Sequence, residues 1–342
     1  MLNGRAHAYV AMMRHIRPLK ATPKVWNYLK YRALRRRSRT SVARYTPQIA
    51  SLLLTKRCNM TCDFCNVASF LYDKSTKWPV LEGDLTKVKR IFANPLFKNC
   101  LLVDILGGEP MLVKELEEIV GWLTSEGYLT NVTTNGINLV KRIEGLKKAG
   151  VTRISVSIYE DNRAALERDL PAINRVFRVH TSMILFRDEV ETRADELVER
   201  VKFIKDSGCL DVRFWMYRPI GETANPDNLV YEDSAAFTAF KRQINEAIPG
   251  FCVWPAPKTS VPAKKRCPQL WQRVGVDMSG NLGICCGTDT LLSGPEGNIF
   301  EGAPDKVFNH PMMVDVRKKL LDPDSEPPDI CTHCNLLADP GW

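Results

Sequence analysis

Cys58-Asn59-Met60-Thr61-Cys62-Asp63-Phe64-Cys65 follows directly on the apolar run Ile49 to Leu54, placing three thiols at C-x3-C-x2-C spacing on a loop just past an expected strand. Three thiolates this close can wrap one iron–sulfur cube and leave its fourth iron without a protein ligand. A structural zinc site closes its shell with four ligands, whereas an iron left open can chelate a small molecule through amine and carboxylate. A zinc knuckle with a fourth ligand from elsewhere uses the same residues.

Outward from this loop, short apolar runs alternate with amphipathic stretches. Strands are expected at Ile49–Thr55, Leu101–Leu106, Leu129–Thr133, Arg153–Ile158, Arg178–Leu185 and Asp211–Tyr217. Helices are expected at Leu85–Phe92, Val113–Glu126, Ile137–Ala149, Arg163–Val176, Glu191–Ser207 and Tyr231–Ile248. Six β-α repeats describe an α/β fold around a parallel sheet, and in parallel barrels the chemistry gathers at the C-terminal ends of the strands. Leu106-Gly107-Gly108-Glu109-Pro110 stands at the second such end. Paired glycines let backbone approach a ligand closely, and a carboxylate beside them accepts a charge-assisted hydrogen bond from an ammonium.

C-x3-C-x2-C with an aromatic residue before its last cysteine, followed one unit later by G-G-E-P, resembles the signature of the radical S-adenosylmethionine (SAM) superfamily. That resemblance implies a partial (β/α)6 barrel over 49–254 and a [4Fe–4S] cluster on Cys58, Cys62 and Cys65. It also implies SAM bound with its amino group at Gly107, Gly108, Glu109 and Pro110. Thr134-Asn135-Gly136 resembles the family's T-N-G turn, Ser155 and Ser157 lie where members place polar contacts to SAM, and Arg218-Pro219-Ile220-Gly221 resembles the segment around the adenosine. Each of these also reads as turn chemistry or strand packing.

Beyond Pro255, Pro257 and Pro262, which mark a linker, come Cys267, Gly280, Cys285, Cys286, Cys331 and Cys334. The pattern resembles the C-terminal SPASM and twitch domains of the same superfamily, in the shorter twitch form. It implies a small domain over 255–342 with a second, auxiliary [4Fe–4S] cluster on Cys267, Cys285, Cys331 and Cys334. Four thiolates in two pairs also suit a structural zinc ribbon. Cys286 is then free, either packed or a catalytic hydrogen-atom donor. Cys100, Cys209 and Cys252 read as small buried hydrophobes.

The 342 residues are 44% hydrophobic and 25% charged, ordinary for a soluble globular chain. No run of about 18 apolar residues points to a membrane span, and the cysteine usage suits a reducing cytoplasm. The net charge of +9 is segregated: residues 1–62 hold fourteen Lys or Arg and no acid, so the remaining 280 sum to −5. The arm, 1–48, carries a helix expected to begin at Thr22-Pro23, with Val25, Trp26, Leu29 and Ala33 on one side and Lys24, Lys30, Arg35 and Arg37 more nearly opposite. Such a helix packs on the body with a solvated basic face, lies through residues 1–45 on anionic lipid, or meets an acidic partner such as nucleic acid.

The family's chemistry is reductive cleavage of SAM to a 5′-deoxyadenosyl radical, which takes a hydrogen atom from a substrate carbon. It implies a flavodoxin or ferredoxin as reductant. One auxiliary cluster tilts the reading towards an oxidoreductase or epimerase acting on a sugar or aminocyclitol. Alternatives are a maturase of a ribosomally made peptide, a lipid-linked substrate, and a metal-stapled nucleic-acid-binding protein without catalysis.

Overall fold

A computed structural model describes residues 18–37, 40–65, 82–217, 219, 225–231, 233–254, 267–284, 292, 294–328 and 331. A nine-stranded sheet organises them, in the order β7-β6-β5-β4-β3-β2-β1-β8-β9. The strands are β1 (Ile49–Thr55), β2 (Leu102–Gly107), β3 (Leu129–Thr134), β4 (Arg153–Ile158), β5 (His180–Leu185), β6 (Val212–Met216), β7 (Cys252–Val253), β8 (Arg273–Asp277) and β9 (Leu282–Gly283). From β7 to β8 every neighbouring pair is parallel, and only β8 and β9 run antiparallel. Parallel neighbours need a helical return between them, which the alternation in the sequence supplies.

The helices are α1 (Pro18–Arg37), α2 (Leu85–Phe92), α3 (Pro95–Lys98), α4 (Leu116–Ser125), α5 (Leu139–Ala149), α6 (Arg163–Val176), α7 (Arg187–Thr192), α8 (Ala194–Asp206), α9 (Ala235–Ala247), α10 (Gln269–Gln272), α11 (Pro304–Phe308) and α12 (Pro311–Leu321). Along β4, β5 and β6 buried residues alternate with half-buried ones. Ile154, Val156 and Ile158, with Met183, Leu185 and Phe214, pack under the helices, while Arg153, Ser155, Ser157, His180, Ser182, Arg213 and Trp215 line the opposite, concave wall. Period-two alternation on a sheet covered on one face produces this division.

Two helix expectations change. The described part of α1 already includes Pro18, so Pro23 lies inside the helix rather than at its start. The helix expected over Glu191–Ser207 starts earlier and breaks at Arg193 into α7 and α8. In the C-terminal segment, β8 pairs with β1 from Ile49↔Arg273 to Leu53↔Asp277, extending the barrel's sheet. Its Asp277-Met278-Ser279-Gly280-Asn281 turn closes on Asp277, whose Oδ1 accepts from Ser279 N and Asn281 N, both at 2.9 Å.

Candidate active site

At the C-terminal end of β2, Gly107 and Gly108 serve packing rather than an open backbone face. A side chain at Gly108 would meet Arg57 O at 2.1 Å, and one at Gly107 would meet Thr55 O at 2.3 Å. Gly107 also has φ +141, which side-chain-bearing residues rarely adopt. Their absence of side chain lets Gly108 N donate to Thr55 O and Glu109 N to Arg57 O, both at 2.7 Å. The G-G-E-P turn is thereby fastened to the start of the cysteine loop through the amides of Gly108 and Glu109.

Glu109 is 1% exposed. Its Oε1 accepts from Thr134 Oγ1 at 2.6 Å and Met111 N at 2.9 Å, and its Oε2 from Asn135 N at 2.7 Å. Burial pushes its carboxyl above the usual range, against these three donors. An ionised carboxylate has about four lone-pair sites, so three internal donors leave one for an incoming ammonium. Glu109 thus ties the ends of β2 and β3 together.

Asn135 extends this network. Its Nδ2 donates to Asn59 Oδ1 within the cysteine loop at 2.7 Å, and its own carbonyl accepts from Asn162 Nδ2 at 2.8 Å. Asn162 is 1% exposed, donates also to Ser157 O and accepts from Tyr159 N, bracing the end of β4 against the T-N-G turn. Arg142 on α5 holds the turn after Pro110 by donating to Met111 O at 2.9 Å and Val113 O at 2.6 Å. Nothing in the sequence marked Arg142 or Asn162, whose bonds to Met111, Val113 and Asn135 span 27 or more residues.

Cys58, Cys62 and Cys65 are half-buried on one loop, with Cys65 N donating to Cys62 O at 3.1 Å. Burial pushes the Cys62 thiol up to about 12, helped by its two sister thiols. Burial likewise raises Cys58. A cation centre reverses such shifts by favouring the thiolates. Among the described residues no three ligand-type side chains converge tightly enough for a single metal ion. Three thiols on one short loop are a donor set that suits a [4Fe–4S] cluster. Phe64 stacks on Tyr159 (ring centroids 5.0 Å apart) and Phe186 (5.3 Å), and Phe186 on Tyr217 (5.0 Å). These aromatics stand just past β4, β5 and β6, roofing the cysteine loop against water.

The concave wall divides in two. Towards β8, Arg273 pairs with Asp104 and donates to Ser51 Oγ at 2.6 Å, Asn131 Nδ2 donates to Asp104 Oδ1 at 3.2 Å, and Ser155 Oγ to Asn131 Oδ1 at 3.0 Å. Ser155 therefore belongs to a structural network below the strand ends. Ser157 stands one layer higher, 3.4 Å from Ser182 Oγ. Towards β6, His180 Nδ1 lies 2.9 Å from Asp211 Oδ2. Burial lowers the His180 pKa despite that carboxylate. For Asp211 burial works upward, but the bond to His180 and the charges of Arg153 and Arg213 outweigh it and leave its pKa below the usual value. Arg213 also lies beside the ring of Trp215, 5.8 Å from its centroid.

Cys267 is buried, and Cys331 is partly buried against the main core. Cys285, Cys286 and Cys334 lie outside the described residues, as do Arg218, Ile220 and Gly221. Cys100 and Cys209 are buried as expected, while Cys252 on β7 is half-buried.

A parallel half-barrel with a three-cysteine loop after its first strand and a ligand-ready carboxylate after its second defines a class of SAM-cleaving iron–sulfur enzymes. Residues 52–182 match the family model of the radical SAM superfamily. That family implies a [4Fe–4S] cluster and SAM as cofactors. The chain is 29% identical over 189 residues to a GTP 3′,8-cyclase from Aquifex aeolicus, covering 51% of this chain and 58% of that protein. It is 25% identical over 311 residues to molybdenum cofactor biosynthesis protein 1 from Drosophila melanogaster, covering 80% and 52%. The chain thus spans about half the length of these curated relatives. Its fold is similar to that of Streptococcus suis SuiB bound to the precursor peptide SuiA, with TM-score 0.64 at 15% identity over 92% of this chain and 74% of that one.

Proposed function

We propose that this radical SAM enzyme abstracts a hydrogen atom from an anionic, phosphate-bearing small molecule seated on the concave wall of β4, β5 and β6. The observation that carries the reading is the charge of that wall: Arg153, Arg213 and Arg273 stand against Asp104 and Asp211, with His180 kept neutral by burial. A net positive, half-open wall favours phosphate or carboxylate and disfavours a cationic aminocyclitol. Trp215 adds a flat face for a ring. The relatives named GTP 3′,8-cyclase support a purine nucleotide as the first substrate to try. This narrows the sugar expectation to phosphorylated or nucleotide-linked compounds. The peptide alternative has only likeness of fold behind it.

When bound, the cluster and SAM supply one-electron reductive cleavage of the sulfonium and, from it, a hydrogen-abstracting carbon radical. Cys58, Cys62 and Cys65 would hold the cluster, and Glu109 would orient the methionine ammonium with its remaining lone pair. Asn59 and Asn135 keep the cysteine loop in register with that carboxylate, and the aromatic roof of Phe64, Tyr159 and Phe186 keeps water away. Ser157, above the structural network, is the better placed of the two serines to contact SAM. Cys267, Cys285, Cys331 and Cys334 would hold a second cluster, with the neighbouring Cys286 as a free thiol and a flavodoxin or ferredoxin as electron source.

The test is 5′-deoxyadenosine formation under dithionite with GTP, a sugar phosphate, an aminocyclitol and a short peptide. The phosphorylated compounds should stimulate turnover at least tenfold, and Arg213→Gln should raise KM about tenfold while changing kcat less. Equal stimulation by the aminocyclitol or the peptide would remove the anionic reading.

A further inference from the structure

The described residues include six exposed large hydrophobics, and four of them, Trp26, Leu29, Leu34 and Val42, belong to the N-terminal arm. α1 turns its polar side inward. Lys24 is 6% exposed, with its Nζ donating to Lys98 O at 2.9 Å and lying 4.0 Å from the Tyr128 ring centroid. Asn27 Nδ2 donates to Asn99 O at 3.0 Å and Thr46 O at 3.3 Å, and the Tyr31 hydroxyl to Gln272 Oε1 at 3.0 Å. What remains outside is Trp26, 60% exposed, and Leu29, 50% exposed, with Ala33 and Leu34 one turn on. Exposed Lys30 stands on the same side.

This inversion has a cause. Lys98, Asn99 and Tyr128 precede β2 and β3, Thr46 precedes β1, and Gln272 precedes β8. The loops at the N-terminal ends of the strands present carbonyls that need donors, so the helix gives them its lysine and asparagine. Its apolar side is left over.

We propose that α1 is an interfacial helix that docks this enzyme on an anionic phospholipid surface, with Trp26, Leu29 and Leu34 inserted at the headgroup boundary. An apolar face with tryptophan, framed by cations, is the pattern of helices that lie in that plane. Charge selects the occupant. Apart from the inward Lys24, the sequence of α1 carries Lys20, Lys30, Arg32, Arg35, Arg36 and Arg37 and no acid, and Arg39 and Arg44 follow it. A second copy of this chain would set that charge against itself, because a two-fold interface apposes the same patch on both partners. Lipid phosphate complements it. α1 lies across the N-terminal ends of strands that span about 20 Å, whereas the cysteine loop and Glu109 stand at the other ends. The bilayer therefore holds the enzyme by its closed end, and the candidate active site opens away from it.

The experiment is co-sedimentation of the full chain with phosphatidylcholine vesicles, with and without phosphatidylglycerol. The wild type should bind the anionic vesicles and bind neutral ones at least tenfold more weakly. Lys30→Gln and Arg44→Gln should each weaken binding about fivefold. The Trp26→Ser/Leu29→Ser/Leu34→Ser variant should lose binding while its melting temperature changes little, since all three side chains are exposed on the outer side of α1. Failure of the wild type to sediment, equal binding to both vesicle types, or full binding by the triple-serine variant would each overturn the proposal. So would a wild-type dimer at micromolar concentration that the triple-serine variant dissolves.

Discussion

At the C-terminal ends of the strands Glu109 gathers three donors from Met111, Thr134 and Asn135, whereas at the N-terminal ends Lys24 and Asn27 spread donors over the carbonyls of Thr46, Lys98 and Asn99. Both ends bury polar groups and pair most of them. At the lower end the helix acts as a stopper over the loop carbonyls, and the buried Thr46 Oγ1, Gln48 Oε1 and Gln272 Nε2 stay without a partner among the described residues beneath it. At the upper end a carboxylate keeps one acceptor site, three thiols keep their sulfur lone pairs, and the wall behind them stays half-open. Spare polar groups make a site at the end where the wall is half-open, not at the end that the helix covers.

The sharpest break of that contrast is the Cys58→Ala/Cys62→Ala/Cys65→Ala variant. It should abolish 5′-deoxyadenosine formation and lower iron content after anaerobic reconstitution from about eight to about four per chain, while circular dichroism stays unchanged. Loss of all iron would remove the second cluster from the reading. Glu109→Gln comes next. It sets an amide N–H₂ against the Asn135 N–H or removes an acceptor from Thr134, so stability should fall by about 1–3 kcal/mol. SAM cleavage should fall by about a hundredfold, equivalent to ~3 kcal/mol of lost charged hydrogen bonding. Melting curves and single-turnover assays separate the two effects.

At the lower end Asn27→Ala should cost about 1–2 kcal/mol in denaturant unfolding and leave SAM cleavage intact, because it unpairs loop carbonyls far from the cysteine loop. The smallest effect belongs to Lys24. Burial lowers its pKa from 10.5, so in the alkaline range below 10.5 the unfolded chain binds more protons than the folded one. Wild-type stability should therefore gain on Lys24→Met as pH rises through the folded pKa towards 10.5. The gain is absent at neutral pH, where both states are protonated. Unfolding midpoints of the two proteins between neutral pH and 10.5 measure it.

The barrel was largely legible beforehand. β1 and β4 begin and end as the alternation predicts, and β2, β3, β5 and β6 differ by one or two residues at their ends. Apolar runs separated by amphipathic stretches leave a parallel sheet few other arrangements. The site was legible in its sulfur and carboxylate groups, whose chemistry is rare and whose spacing is local. Its supports were not. Asn59 meets Asn135 across 76 residues, and Arg273 meets Asp104 across 169.

The order of the cysteine loop, the G-G-E-P turn and the β-α repeats was decided by the sequence alone, because spacing and periodicity act over a few residues. Only the tertiary structure decided that β8 lies beside β1 and delivers Arg273 to the concave wall. It also decided which side of α1 is buried. A 3.6-residue period divides a helix into two faces but does not say which one the body will need. Here the body needed donors for its loop carbonyls, and Tyr31 found Gln272 across 241 residues. The lysine and asparagine went inside, and the tryptophan stayed out.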